Sequence, residues 1–146
     1  MATSAWNKFN DFSEQLIRGV HDFDAHVFKV ALTNTAPVAT QTTWNVTDHP
    51  APAAANGYTA GGTATTITVS ETGGTTTVQG SQVVFTATAG GIGPFRYAVV
   101  YNDTATSPAD AAVGWLDYGS NLTLAVGETL TIQFNSTNPG TLFTLV

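Results

Sequence analysis

From residue 63 to the C-terminus, this chain is a series of short segments in which apolar and polar residues alternate, each bounded by a turn signal. The alternating segments are Thr63–Ser70, Thr75–Gln79, Ser81–Thr88, Phe95–Asn102, Val113–Tyr118, Asn121–Leu124, Glu128–Phe134 and Thr141–Leu145. Turns are marked by residues such as Gly73-Gly74, Asn102-Asp103, Gly119-Ser120 and Asn138-Pro139-Gly140. This arrangement predicts a mostly β fold, either a β-sandwich or a jelly-roll-like antiparallel barrel.

The N-terminus has a different period. Apolar residues recur at helical spacing from Trp6 to Val20, Ser4 is a suitable N-cap, and Gly19 suits the C-terminal stop. We therefore predict one N-terminal α-helix within residues 1–20, either docked on its own sheet or acting as an arm on a neighbouring subunit. Residues 26–33 then alternate with a period of two, which predicts a strand.

A long irregular segment, residues 34–62, separates that strand from the β body. It is rich in proline and glycine, and only Thr43–Val46 has a strand-like pattern. Loops of this length inside compact domains are usually functional or disordered. Because the segment carries Trp44 and Tyr58, we expect it to lie extended against a surface. Residues 1–146 thus form one predicted domain, with an arm at 1–20, this extended loop at 34–62 and a β-sandwich body at 63–146.

The charge of the chain limits the classes of partner that it can bind. Charged residues make up 10% of the chain, against about 25% in an average globular domain. The net charge is −6, and the basic residues are Lys8, Arg18, Lys29 and Arg96. Binding to phosphates requires clustered Lys and Arg, so we expect no nucleic-acid partner and no binding to an anionic membrane. The chain has no cysteine, and we see no signal peptide and no membrane-spanning run.

The sequence gives only weak indications of a catalytic or metal-binding site. The densest polar cluster, His21-Asp22-Phe23-Asp24-Ala25-His26, has the ligand types of a metal site but matches no metal-binding spacing, so a polar turn is favoured. Asp48-His49 could be half of an acid–base pair, although neighbouring side chains usually point apart. No Gly-x-Ser-x-Gly elbow occurs. We expect no enzyme activity, no cofactor and no metal; a small hydrolase or isomerase is the weakest alternative.

Three groups of motifs carry a family resemblance. They are Lys8-Phe9-Asn10 with Gly19-Val20-His21; the run from Phe28 to Pro37 (FKVALTNTAP); and the pair Gly93–Asp103 (GPFRYAVVYND) with Gly114–Gly119 (GWLDYG). In this order they resemble a family of small structural proteins of tailed bacteriophages and their prophages. The resemblance covers nearly the whole chain and implies a virion component, specifically a capsid cement (decoration) protein, with no catalytic residues to transfer.

The resemblance implies a location and partners. The chain would be made in the host bacterial cytoplasm and would bind the outer surface of the major capsid protein shell, beside neighbouring copies of itself as a homo-oligomer on the particle. Aromatic residues are enriched at interface hot spots, so Trp6, Trp44 and Tyr58 are the predicted partner-binding residues. Two alternatives stay open: a tail or head–tail connector component, and a carbohydrate-binding adsorption module in which Trp44, Trp115 and Tyr118 stack on sugar rings.

Overall fold

In the computed structural model, which describes residues 4–146, the chain forms three antiparallel sheets, one short α-helix and one 3-10 turn. The first half contains β1 (Asn7–Lys8), α1 (Phe12–Ile17), β2 (Phe28–Thr33), β3 (Thr63–Thr65), β4 (Ile67–Thr72) and β5 (Thr75–Gly80). The second half contains β6 (Val83–Thr86), β7 (Ile92–Thr106), β8 (Ala109–Leu124), β9 (Thr129–Ile132), the 3-10 turn Phe134–Ser136 and β10 (Gly140–Leu145). The mostly β fold predicted from the alternating segments is confirmed.

A five-stranded sheet, in the order β1-β8-β7-β2-β3, is the centre of the molecule. A three-stranded sheet (β10-β5-β4) and a two-stranded sheet (β6-β9) contribute to the main core against one of its faces. That core joins Phe28 and Val100 of the central sheet to Val78 and Phe85 of the two smaller sheets, all of them buried. Sheets whose apolar faces pack against each other form a sandwich-like arrangement, because the contact removes both apolar faces from water.

The other face of the central sheet is covered by Phe9 and by the part of the long segment around Trp44, whereas Tyr58 of the same segment enters the main core beside Phe85. Trp44 stacks on Tyr101, with the ring centroids 4.7 Å apart and the planes 12° from parallel. The backbone N–H of Trp44 also donates a 2.8 Å hydrogen bond to the carbonyl of Asp110 in β8. The surface that this segment lies against is therefore the chain's own sheet.

Two glycines let the end of this segment approach the sheets closely. A Cβ atom at Gly57 would lie 2.0 Å from the carbonyl oxygen of Thr86, and one at Gly62 would lie 1.9 Å from the carbonyl oxygen of Val30. Both residues also have positive φ angles, 94° and 82°, which side chains rarely tolerate. Glycine at these positions thus permits main-chain packing that no other residue would allow.

The predicted N-terminal helix is much shorter than expected. α1 covers Phe12–Ile17 and follows Asp11 rather than Ser4, while residues before it extend along β8. There the Ser4 hydroxyl accepts a hydrogen bond from the N–H of Asp117, and the N–H of Phe9 donates to the carbonyl of Val113. The main-chain N–H and C=O groups on the outer edge of β8 need hydrogen-bond partners. Residues before Phe12 supply them in an extended conformation, although their apolar residues have helical spacing.

Two predicted turns are wrong. Each lies inside a strand, at an irregularity of the β7–β8 register. β7 continues past Asn102-Asp103, with a register shift between Asn102 and Thr106, and turns at Ser107-Pro108. β8 continues past Gly119-Ser120, where its register shifts opposite Phe95 and Tyr97.

The side-chain oxygen of Asn102 accepts hydrogen bonds from the backbone N–H groups of Thr104 and Ala105, at 3.1 and 3.2 Å, which is local bonding typical of turns. Its side-chain amide donates to the carbonyl of Val20, 3.1 Å away, and so connects the sheet to the segment between α1 and β2. The predicted strand Thr43–Val46 is reduced to a single bridge between Thr43 and Ala111.

Candidate functional site

The polar cluster at residues 21–26 forms a turn between α1 and β2. A carboxylate oxygen of Asp22 accepts hydrogen bonds from the backbone N–H groups of Asp24 and Ala25, at 3.0 and 3.1 Å. This is the local bonding that favours aspartate in turns. Within residues 4–146, no group of three or more His, Asp or Glu side chains is placed to hold a metal ion.

His21 of this turn is buried in an aromatic cluster. Its ring lies 5.3 Å from Phe12, 6.0 Å from Phe23 and 6.2 Å from Phe28, measured between centroids. Desolvation by burial, assisted by the charge of His26, lowers the pKa of His21 from 6.5 to about 4. The imidazole is therefore neutral at neutral pH and serves as a packing residue.

The Asp48-His49 pair does not form an acid–base dyad. A carboxylate oxygen of Asp48 accepts a 2.7 Å hydrogen bond from the Asn45 side chain. His49 is fully buried, its Nε2 lies 3.1 Å from Oε1 of Gln41, and desolvation by burial lowers its pKa. The side chains of Asp48 and His49 thus stabilise the conformation of the long segment.

The three predicted partner-binding residues are not equally accessible. Trp44 and Tyr58 are 7% and 3% exposed, and the Tyr58 hydroxyl accepts a 3.1 Å hydrogen bond from the N–H of Leu32. Trp44 packs on the central sheet and Tyr58 packs in the main core beside Phe85, so we do not place either among the partner contacts proposed below. Trp6 is partly buried, edge-on to Phe134 with centroids 6.1 Å apart, and keeps some surface at the end of the sandwich.

A cleft of about 320 Å³ opens between β9 and the end of the central sheet. Tyr97, Leu116 and Tyr118 line it from the central sheet, and Leu130 and Ile132 line it from β9. Tyr118 is 42% exposed. Pockets that bind small molecules are commonly of this size and combine apolar walls with a few polar groups.

The charged groups that line this cleft form one ion pair. The Arg96 guanidinium contacts both carboxylate oxygens of Asp117, at 2.8 and 2.9 Å, and its carbon lies 5.2 Å from the centroid of the Tyr97 ring. The hydrogen bond from Arg96 lowers the pKa of Asp117. Because the two charges compensate each other, the cleft suits an uncharged ligand better than an ion.

Sequence reasoning missed this cleft. Arg96 and Asp117 are 21 positions apart and meet only because Tyr97 pairs with Asp117 across β7 and β8. On the cleft rim, Asn135 and Ser136 have positive φ angles of 49° and 56°. Such conformations cost energy in residues other than glycine and cluster at functional sites, but no sequence signal announces them.

All four basic side chains already have partners within the chain. Arg18 pairs with Glu14 at 2.7 Å, Lys29 with Asp103 at 2.8 Å, and Arg96 with Asp117. Lys8 donates a 2.9 Å hydrogen bond to the Ser13 hydroxyl. The surface formed by residues 4–146 is therefore acidic and low in charge, without a basic patch.

Comparisons with known protein families, with curated protein sequences and with solved structures found no match. Among the described residues, no helix has both the length and the apolar character needed to cross a bilayer.

Proposed function

We propose that this chain is a capsid cement protein of a tailed bacteriophage, which binds the outer surface of the major capsid protein shell and stabilises the head. A protein in this role adds contact area between neighbouring capsid subunits and needs no reactive group. The buried histidines and the locally bonded aspartates described above are compatible with such a role, since each has a structural task.

The observation that carries the proposal is the distribution of charge. The net charge is −6, three of the four cations pair with a carboxylate, and the fourth, Lys8, donates to the Ser13 hydroxyl. A protein on the inner face of a shell would meet packaged DNA and would benefit from available cations. An acidic surface without a basic patch suits the outer face instead.

The positions of the family-like motifs also support the proposal. The stretch beginning at Phe28 forms β2, the stretch Gly93–Asp103 lies within β7, and Gly114–Gly119 lies within β8. These three strands are neighbours in the central sheet. The three longest stretches of the resemblance therefore lie together in one sheet, while Gly19-Val20-His21 lies in the connection between α1 and β2.

Copy number in purified virions tests the location. Quantitative mass spectrometry of particles from a phage that encodes this chain should find it in amounts comparable to the major capsid protein. Heads that lack the chain should release DNA at a lower temperature than complete heads, and added purified protein should restore the difference. Absence from the particle would contradict any virion role, whereas a few copies that separate with the tail would favour the tail or connector alternative.

One observation favours a second candidate, a carbohydrate-binding adsorption module. Trp44 is buried and Trp115 packs on Phe9, with centroids 4.7 Å apart, but Tyr118 is half-exposed at the cleft. A tyrosine ring beside paired polar side chains can stack on a neutral sugar while hydrogen bonds orient it. Calorimetric titration with host surface polysaccharide should then give saturable binding that Tyr118→Ala abolishes.

The matched control is Val126→Ala, because Val126 is 66% exposed and does not line the cleft. This variant should bind the polysaccharide like the unaltered protein. A flat titration with the unaltered protein would remove the carbohydrate candidate and leave the cement proposal unaffected.

A further inference from the structure

The strand edges of this fold differ in how well they are protected. Among the strands that the structure describes at the ends of sheets, β1 has two residues, β3 three, and β6 and β9 four each. β10 has six residues but carries a register irregularity between Thr141 and Phe143. β4 also has six residues, and its pairing with β5 has no irregularity. It is therefore the longest regular edge of the molecule.

β4 lacks the devices that normally prevent edge-to-edge pairing. Its sequence, ITVSET, contains neither lysine nor proline, and five of its six residues are exposed. The single charge belongs to Glu71, whose carboxylate accepts a 2.7 Å hydrogen bond from the N–H of Gly74 in the hairpin turn. This bond holds the charge toward the turn.

The pairing register shows which main-chain groups of β4 face away from β5. Thr72 and Thr75 flank the two-residue turn, and at the other end the N–H of Ser81 donates to the carbonyl of Thr66. In antiparallel pairs, hydrogen-bonded positions alternate with positions whose N–H and C=O groups point outward. The outward-pointing positions are Ile67, Val69 and Glu71.

We propose that this edge pairs with β4 of a second copy of the chain, antiparallel across a two-fold axis at Val69. The two three-stranded sheets would then become one six-stranded sheet, β10-β5-β4-β4-β5-β10. This edge is self-complementary: Val69 faces Val69 of the second copy, and Ile67 faces its Glu71. No like charges lie directly opposite each other, an arrangement that would be destabilising, and Val69, 42% exposed, is covered.

The inference does not depend on the cement role, and it applies to the isolated protein. A contact made by one strand from each copy buries far less than the roughly 1,600 Å² of a standard interface. The dimer is therefore weak in solution and becomes fully occupied where copies are held close together, as on a particle surface. Because each copy carries a net charge of −6, added salt should strengthen the dimer by screening repulsion.

A cysteine crosslink tests the predicted geometry. The chain has no cysteine of its own, so Val69→Cys introduces a single thiol. Directly opposed, hydrogen-bonded residues have Cα atoms about 5.5 Å apart, which is within the range of disulfides. Mild oxidation should convert Val69→Cys to a covalent dimer about tenfold faster or more than a control thiol.

The control is Val84→Cys, because Val84 is also a strand valine and is 45% exposed, close to the 42% of Val69. Equal crosslinking rates for the two variants, or no crosslinking at position 69, would overturn the proposal.

Sedimentation equilibrium tests the role of the main chain. Val69→Pro removes an N–H that points away from β5, so the hairpin keeps its own hydrogen bonds. The unaltered protein and Val69→Thr should both show a monomer–dimer equilibrium that shifts with concentration, while Val69→Pro stays monomeric with an unchanged Tm. A dimer that persists in Val69→Pro, or an unaltered protein that is monomeric up to about 1 mM, a Kd that corresponds to about 4 kcal/mol, would contradict it. If Val69→Pro does not fold, the crosslinking result decides.

Discussion

The central sheet and the β4–β5 hairpin are both antiparallel, yet they contribute to different properties. In β2 five of six residues are buried, because sheets pack on one face and the long segment 34–62 covers the other. In β4 five of six residues are exposed and most are small and polar. The hydrophobic effect scales with the apolar area removed from water. Stability is therefore concentrated in the core on the central sheet, to which the hairpin contributes Val78 of β5, while the exposed strand β4 can change its surface at little cost to the fold.

The largest effect should come from a cavity in the central sheet. Phe28 is fully buried and stacks on Phe23, with centroids 4.3 Å apart. Phe28→Ala should lower the free energy of unfolding by about 3–5 kcal/mol, measured by urea denaturation. A loss below about 1 kcal/mol would break the contrast between the two regions.

The covering segment should come next. Trp44→Ala removes the ring stacked on Tyr101 and should cost about 2–4 kcal/mol in the same measurement. Val46→Ala is the control, since Val46 lies in the same segment and is 67% exposed. It should change stability by less than about 0.5 kcal/mol. Unchanged stability of Trp44→Ala would restore Trp44 to the possible partner contacts.

Acid should weaken the aromatic cluster around His21. The folded state holds the pKa of His21 at about 4, below its ordinary value of 6.5. Between these two pH values the unfolded chain binds more protons, so stability is complete above pH 6.5 and falls as the pH decreases toward 4. The contribution of His21 to this loss should be about 1–3 kcal/mol.

His21→Phe keeps an aromatic ring without a titratable group, so its stability should depend less on pH in this window. The other titratable groups are common to both proteins, so the difference between the two pH profiles reports His21 together with its electrostatic coupling to His26. Identical pH profiles of the two proteins would show that His21 is not the titrating group.

The smallest effects should come from the hairpin. Ser70→Ala changes an exposed side chain of β4 and should shift the free energy of unfolding by less than about 0.5 kcal/mol. A loss of several kcal/mol would mean that β4 itself contributes to the cooperative core, and the division between the two regions would be wrong.

Local patterns in the sequence predicted the strands better than the connections. The alternating segments around Phe85, Val100 and Leu142 form strands because one face of each is buried, and burial imposes a period of two. The N-terminal helix was overpredicted, since residues before Phe12 provide hydrogen bonds to β8 that lie outside any local pattern. Asn102-Asp103 has the composition of a turn but lies inside β7, because Asn102 pairs with the neighbouring strands β2 and β8, which are distant in the sequence or beyond the local pattern.

The candidate site was less predictable than the fold. Aromatic residues in an irregular segment suggested partner contacts at Trp44 and Tyr58, but a sequence does not say which surface an aromatic side chain covers. The cleft depends on the register of β7 against β8 and on the turn after β9, and both follow from tertiary packing. The period and composition of the sequence therefore predict which segments form the sheets. The clefts between the sheets can be located only from the three-dimensional structure.

The strand β1 has a consequence for biosynthesis. Asn7 pairs with Trp115 and Lys8 with Gly114, so two of the first ten residues find their places only after more than a hundred further residues have been translated. Contacts between distant parts of a chain slow folding, because the entropy of closing a large loop is lost before the contacts can stabilise the chain. During synthesis Phe9 and Phe12 therefore leave the ribosome long before Trp115 and Phe143, two of the rings against which they pack, have been made.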